Sequence, residues 1–221
     1  MEAMSSELMV SALWELDGFL TQTRIPIRVN IGWSDIDVIG VNRKRHVRMA
    51  ECKVRGSARE VLVIPDGKAF VRFMHKNDWS SSLNNVDRAY SGEMGWLPTK
   101  SQTGKFEFWF LANLWFPDQK EQRNAEIVLA SYLGKLLGQP MSKKSRARIF
   151  TTRDIILEIF QRVKSKVLEE GTGKRFGNPI LDLFREMVRY LNPRPKGGGQ
   201  VGSRISEETG RLFGEAFLPG I

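Results

Sequence analysis

Apolar residues recur at helical spacing through Met9, Ala12, Leu13, Leu16 and Phe19, which predicts an opening helix over residues 6–23. Ser5 or Ser6 caps it, and Gly18 marks its fraying end. The pattern then shortens to that of strands. RIPIRVNIG (24–32) holds Pro26, which assigns it an edge or a strand entrance. DIDVIGVN (35–42) and VRMAECKV (47–54) read as two further strands around a charged RKRH loop (43–46). Alternation puts Met49, Glu51 and Lys53 on one face of the third strand, with Ala50, Cys52 and Val54 on the other.

Between 57 and 100 the pattern is mixed. VLVI (61–64) reads as a short strand, PDGKAFVRFMHKNDW as a helix or a strand pair, and SSLNNVDRAYSGEMGW as a polar, mostly helical excursion. KFEFWFLANLWF (105–116) is the strongest strand of the chain, dense in aromatic residues. A helix over 118–138 shows an apolar face of Ala125, Val128, Leu129, Tyr132, Leu133 and Leu136. ARIFT (147–151) gives a last strand, and Thr152 or Asp154 caps the helix that follows through Glu170. Beyond the Gly-rich stretch 171–179 lies one more helix, ILDLFREMVRYL, and then NPRPKGGGQVGS (192–203), which has linker composition. No internal repeat is visible. A helix leading into a three-strand meander, then strand–helix–strand, predicts an α/β sheet with helices on both faces. The implied division is 1–160 as the core domain with an insertion near 57–100, 161–192 as a basic helical C-terminal extension, and 193–221 as a flexible tail with one short helix.

Composition narrows the function class. At 221 residues, 41% hydrophobic and 27% charged, the chain suits a globular domain with an appendage. No apolar run approaches the ~18–20 residues of a membrane span, and MEAMSSELMV lacks a basic segment leading into a signal core, so a cytoplasmic protein with no membrane partner is expected. Cys52 is the single cysteine, which excludes an internal disulfide and a cysteine zinc site. His46 and His75 are the only histidines, which disfavours histidine-based catalysis and a histidine-rich metal site. The net charge is +9 and the pI near 9.8, a surplus suited to a polyanionic partner. Most of it lies late: residues 1–140 hold 18 basic and 16 acidic residues, and 141–221 hold 16 and 9.

The chemistry concentrates in the hairpin. Asp35 and Asp37 share a face of one strand, Glu51 and Lys53 a face of the next, and pairing across RKRH brings the four together. Converging carboxylates repel unless a cation sits between them, and hard oxygen donors favour Mg²⁺ or Mn²⁺ over zinc. A lysine beside them orients an attacking water and neutralises a pentacovalent phosphate. The competing reading is a solvated edge strand in which Lys53 bridges Asp37 and Glu51.

The residues also resemble a family. A helix carrying Glu7 and ending in Gly18-Phe19, then SDIDVIG, then AECK, is similar to the pattern of the PD-(D/E)xK nuclease superfamily, and most like its Holliday-junction-resolvase and Mrr-type restriction-endonuclease branches. The likeness spans roughly residues 5–160. It implies a restriction-endonuclease-like core and a Mg²⁺-dependent endonuclease that hydrolyses DNA, with RNA left open as substrate. It implies Asp37, Glu51 and the backbone carbonyl of Cys52 as metal ligands, Lys53 positioning the water, Glu7 completing the site directly or through a water, and Asp35 as a helper. It also implies action as a homodimer. The chain departs from the pattern in lacking Pro before the aspartate. The alternative is a subunit of the same fold that binds nucleic acid or assembles without cutting.

Outside the hairpin, Arg55 and Arg59 either contact phosphate or are solvated, as do Lys143, Lys144 and Arg146 of the basic stretch MSKKSRARIF. Cys52 points from the site face and reads as core. Trp109 and Trp115 read as strand packing, whereas Trp79, Tyr90 and Trp96 are candidates for a substrate-facing aromatic.

Overall fold

The computed structural model describes residues 2–29, 32–53, 62–76, 79–99, 102–138, 145–170 and 175–191. Its first helix, α1 (Glu2–Leu16), stops earlier than the apolar spacing predicts. Gly18 adopts a left-handed φ of 79°, and the amides of Asp17 and Gly18 close the last turn on the carbonyls of Trp14 and Glu15, each at 3.0 Å. The chain then turns directly into β1 (Phe19–Val29), so Phe19–Thr23, expected as helix, are strand. Phe19 is buried as its spacing predicts, but from the strand, with its ring 6.5 Å from that of Trp14.

β1 pairs antiparallel with β2 (Gly32–Asn42), from Phe19↔Asn42 to Val29↔Gly32. Arg24 interrupts the ribbon with a φ of 52°. Before it, Phe19 and Thr21 reach α1, where the Thr21 hydroxyl bonds Ser11 and Glu15. After it, Ile25 and Ile27 join the main core with Ile36. Odd-numbered side chains therefore change faces at Arg24. The turn into β3 (His46–Lys53) is held by Asn42, whose side chain accepts the amides of Lys44 and His46 at 2.9 and 3.1 Å.

Gly40 of β2 lies under Trp14, where an added Cβ would come within 2.8 Å of the indole. Trp14 is wedged edge-on against Trp109, 5.3 Å between centroids, and has no room to yield. Gly40→Ala should therefore cost about 1–3 kcal/mol, read as a lower urea midpoint at an unchanged m value.

The mixed segment 57–100 contributes β4 (Leu62–Val63), α2 (Gly67–Lys76) and α3 (Trp79–Arg88), followed by a π-helical turn over Ala89–Glu93. Read from sequence as an insertion, it supplies Ile64, Phe70, Leu83, Val86 and Tyr90 to the main core. Tyr90, expected to face a substrate, is buried with its ring 4.7 Å from Phe106. Trp96 is half-exposed, and the side chain of Trp79 lies outside the described residues.

The strong aromatic strand is broken at Asn113 into β5 (Lys105–Ala112) and β6 (Leu114–Trp115). β5 runs parallel to β3, from His46↔Lys105 to Lys53↔Ala112, and β7 (Ser145–Phe150) runs parallel to β5. Between them, α4 (Gln119–Leu136) is capped by Asp118, which accepts the Glu121 amide at 2.8 Å, and buries Ala125, Leu129 and Leu133. Among the described residues the result is a mixed α/β arrangement: a five-stranded sheet in the order β1-β2-β3-β5-β7, a β4–β6 pair, and six helices.

α5 (Thr152–Glu170) starts one residue earlier in its capping than expected. Thr151 and Asp154 cap each other, amide to side chain, at 3.1 and 2.8 Å. The chain divides into two compact units, Met1–Ile155 and Ile156–Ile221. In the second, α6 (Pro179–Leu191) has Pro at its first position and Asn178 accepting the Ile180 amide at 3.0 Å. Residues 193–221, expected as a flexible tail, lie outside the described residues.

Candidate active site

β2 and β3 pair from Val41↔Val47 to Val38↔Ala50, and there the pairing stops. The next residues on the two strands are Asp37 and Glu51. Asp37 fills the break itself: its Oδ2 accepts the Cys52 amide at 2.6 Å, taking the place of a strand partner. On its other side β3 stays paired with β5 as far as Lys53↔Ala112, which fixes the backbone under Glu51 and Lys53. The Lys53 ammonium pairs with Glu51 Oε1.

A third carboxylate arrives from α1. Glu7 is buried, and its Oε2 accepts Arg24 Nε at 3.0 Å. Arg24 is the residue at which β1 changes faces, so its left-handed backbone has a visible consequence in the site. Cys52 is buried, in keeping with its reading as core, and lies beside this helix, with its thiol hydrogen-bonded to Ser6. Burial, and then the charges of Asp37, Glu51 and Glu7, push that thiol well above its usual range, so it is no nucleophile. Asp35 stands apart from the buried trio. Its side chain is exposed, its carbonyl accepts Asn85 Nδ2 at 3.2 Å, and its charge reaches the Arg24 guanidinium.

Burial raises the Asp37 carboxyl, repulsion from Glu51 raises it further, and the Cys52 amide and Lys53 only partly offset them, leaving it at about 7. The unfolded carboxyl titrates near ~3.9. Between those values the folded chain holds a proton that the unfolded chain has lost, so stability falls as pH rises through 7. Other groups act oppositely (His46 is lowered by burial and by Lys105), so the difference between wild type and Asp37→Asn isolates the effect. Without divalent ions, the wild type should lose melting temperature relative to Asp37→Asn between pH 5 and 8, measured by circular dichroism. Parallel pH profiles would remove Asp37 from this account.

The donor set bears on the expected cation. Two buried carboxylates and a neighbouring backbone carbonyl are hard oxygen donors of the kind Mg²⁺ and Mn²⁺ take, and Asp37 and Glu51 repel each other. No preformed group of three or more His, Cys, Asp or Glu side chains able to hold a metal occurs among the described residues. Lys53 and Arg24 instead hold Glu51 and Glu7.

Of the basic residues expected to meet nucleic acid, Arg55, Arg59, Lys143 and Lys144 lie outside the described residues. Arg146 is not at the Asp37 end of the sheet. It binds Glu107 Oε1 through Nε at 2.8 Å and Nη2 at 2.7 Å. The buried Glu107 also holds Arg48 at 2.9 Å and Lys105 at 2.8 Å, and Arg48 reaches Asp17 at 2.5 Å. Burial raises the Glu107 carboxyl, but the Lys105 hydrogen bond and the charges of Arg48 and Arg146 overcome it and hold it at about 2. Sequence reasoning passed over this centre and over Arg24. A lone acid inside FEFWF was the available signal for the first, and nothing marks an arginine for a left-handed backbone.

No protein-family model matches the sequence, and no curated protein matches it. The chain is similar to a crystal structure of a protein of unknown function, AF1548, at 12% identity and a TM-score of 0.33, over 96% of this chain and 99% of that one. An overlap that loose does not establish a shared fold. No helix among the described residues is long and apolar enough to cross a membrane.

Proposed function

We propose that the protein is a Mg²⁺- or Mn²⁺-dependent endonuclease that hydrolyses DNA phosphodiesters on a restriction-endonuclease-like core. One observation carries the reading: Glu7, Asp37 and Glu51, from three separate elements, are all buried, the charges of Glu7 and Glu51 both reach Asp37, and Lys53 pairs with Glu51 where β2 parts from β3. Two like charges held together out of water cost several kcal/mol, and a divalent cation removes that cost. The element order α1, β1–β3, β5, α4, β7 also fits the core that the sequence resemblance implied.

In this reading Asp37, Glu51 and the Cys52 carbonyl would hold the cation, with Glu7 completing the set and Asp35 at the rim. When bound, the cation supplies Lewis acidity toward the phosphate and toward water. Lys53, released from Glu51, donates hydrogen bonds to the nucleophilic water and to the phosphoryl oxygen on which charge develops. Asp37 is deprotonated above about 7, so the site is ready for a cation in neutral and mildly basic solution. The β3–β5 ladder keeps Glu51 and Lys53 in register through the reaction. The DNA-binding basic residues and a homodimer belong to the same proposal.

The test is cleavage of duplex, branched and single-stranded DNA with Mg²⁺, Mn²⁺ or EDTA, alongside an RNA control. A second reading rests on the ion pairs Lys53–Glu51 and Arg24–Glu7, which neutralise the carboxylates without a cation. It makes the chain a non-cutting nucleic-acid-binding subunit, and tight binding with no hydrolysis under either metal would favour it.

A further inference from the structure

A cavity of about 480 Å³ opens beyond the carboxyl ends of β5, β6 and β7, lined by Asn113, Leu114, Trp115, Gln119, Gln122 and Arg153 among others. The carboxyl ends of parallel strands are where α/β sheets bind their ligands. This one lies beside the candidate active site: Asn113 directly follows Ala112, the partner of Lys53 in the parallel β3–β5 ladder. Adjacent strands stand only ~4.8 Å apart, so a ligand in the cavity is within a nucleotide's reach of Glu51 and Lys53.

The lining says what kind of ligand it takes. Trp115 is 51% exposed, unlike the fully packed Trp109 of the same aromatic stretch. The acids Asp118 and Asp154 are engaged in capping α4 and α5, and Gln122 is engaged with the Ile149 carbonyl at 2.8 Å. The Asn113 side-chain oxygen accepts the Thr152 hydroxyl at 2.9 Å. Its amide nitrogen, and the side chains of Gln119 and Arg153, have no hydrogen-bond partner among the described residues. An exposed indole face, free amide groups and a single cation do not make a phosphate cage. They suit a flat, uncharged ring with polar edges.

We propose that this cavity is a nucleobase subsite, in which Trp115 stacks on one unpaired base of the DNA substrate while Asn113 and Gln119 hydrogen-bond its edge. The inference rests on the nuclease reading and adds to it a preference for strands with an unstacked base next to the scissile phosphate. A duplex base reaches the cavity only by leaving its stack.

The experiment uses the full chain in EDTA, with oligodeoxynucleotides carrying 2-aminopurine either single-stranded or as one unpaired position in a duplex. The wild type is expected to quench the 2-aminopurine on binding. Trp115→Ala should lose the quench and bind about tenfold more weakly at an unchanged melting temperature, while Trp115→Phe retains most of both. Lys53→Ala should lower cleavage in Mg²⁺ by on the order of 10³-fold yet keep the quench. If Trp115→Ala quenches and binds like the wild type while the wild type cleaves, the subsite falls and the nuclease reading stands. If the wild type cleaves in Mg²⁺ but quenches neither oligonucleotide, the subsite falls alone, and if it neither cleaves in Mg²⁺ nor binds, both fall.

Discussion

Lys53→Ala should lower single-turnover DNA cleavage by on the order of 10³-fold at saturating Mg²⁺, the loss typical when a positioned donor to developing charge is removed. The expectation follows from placement. Lys53 ends β3, its backbone is fixed against Ala112 of β5, and its side chain is largely buried beside Glu51. Lys53→Arg should not restore the rate, because a planar guanidinium cannot occupy the position of a compact ammonium within a buried carboxylate cluster. The substitution also leaves Glu51 buried without its cation, so the variant should melt lower in EDTA and recover in Mg²⁺. That recovery distinguishes a chemical role from a structural one. If Lys53→Ala cleaves at the wild-type rate, the assignment of the site is wrong. If it merely unfolds and Mg²⁺ restores nothing, the lysine is a structural counter-ion, as the non-cutting reading requires.

Asp37 sharpens the same contrast from the opposite direction. A lysine paired with a buried carboxylate stabilises the fold, whereas a carboxyl held at about 7 beside Glu51 strains it in neutral solution. The bond from the Cys52 amide needs only an acceptor oxygen, which an uncharged asparagine also offers, so the hairpin alone does not call for a carboxyl there. Stability set aside to hold like charges together is what a cation-binding site would require.

Much of the architecture was legible because hydrophobic period follows secondary structure closely. The alternation in VRMAECKV and the 3.6-residue spacing in α4 both lead to elements within two residues of those observed. The failures have local causes. Met9, Ala12, Leu13 and Leu16 continue in helical register to Phe19, but Gly18 in the left-handed region turns the chain back and buries Phe19 from a strand. Trp115 continues the aromatic run of β5, yet the break at Asn113 carries it to the surface. In the site, the convergence of Asp37, Glu51 and Lys53 follows from strand period and a hairpin. The role of Arg24 does not, since its φ depends on tertiary contacts that no local pattern encodes.

Glu107→Gln should destabilise the protein markedly. A buried carboxylate at the amino-terminal half of β5 holds Arg48, Arg146 and Lys105, and Arg48 in turn stacks 4.2 Å from the ring of Phe19. Arg146 is half-exposed and Lys105 a third exposed, so both can turn to water when the charge is lost. Arg48, at 14% exposure, cannot, and among the described residues Asp17 is the carboxylate it keeps. The cost is therefore set by one buried cation, about 3 kcal/mol at the low end for a broken buried pair, or roughly 6–12 °C in melting temperature. Its pH dependence follows from a folded carboxyl held at about 2 against ~4.3 unfolded. The contribution is complete above the unfolded value and disappears as pH falls from there through 2, so wild type and variant should converge in acid melts and diverge above pH 5. Glu107→Leu combined with Arg48→Met should recover much of the loss, because an apolar pair leaves no charge to solvate. Equal melting of Glu107→Gln and wild type at pH 7 would mean that Arg48 finds water or Asp17 at no cost, and that the centre is a surface network with little hold on the sheet.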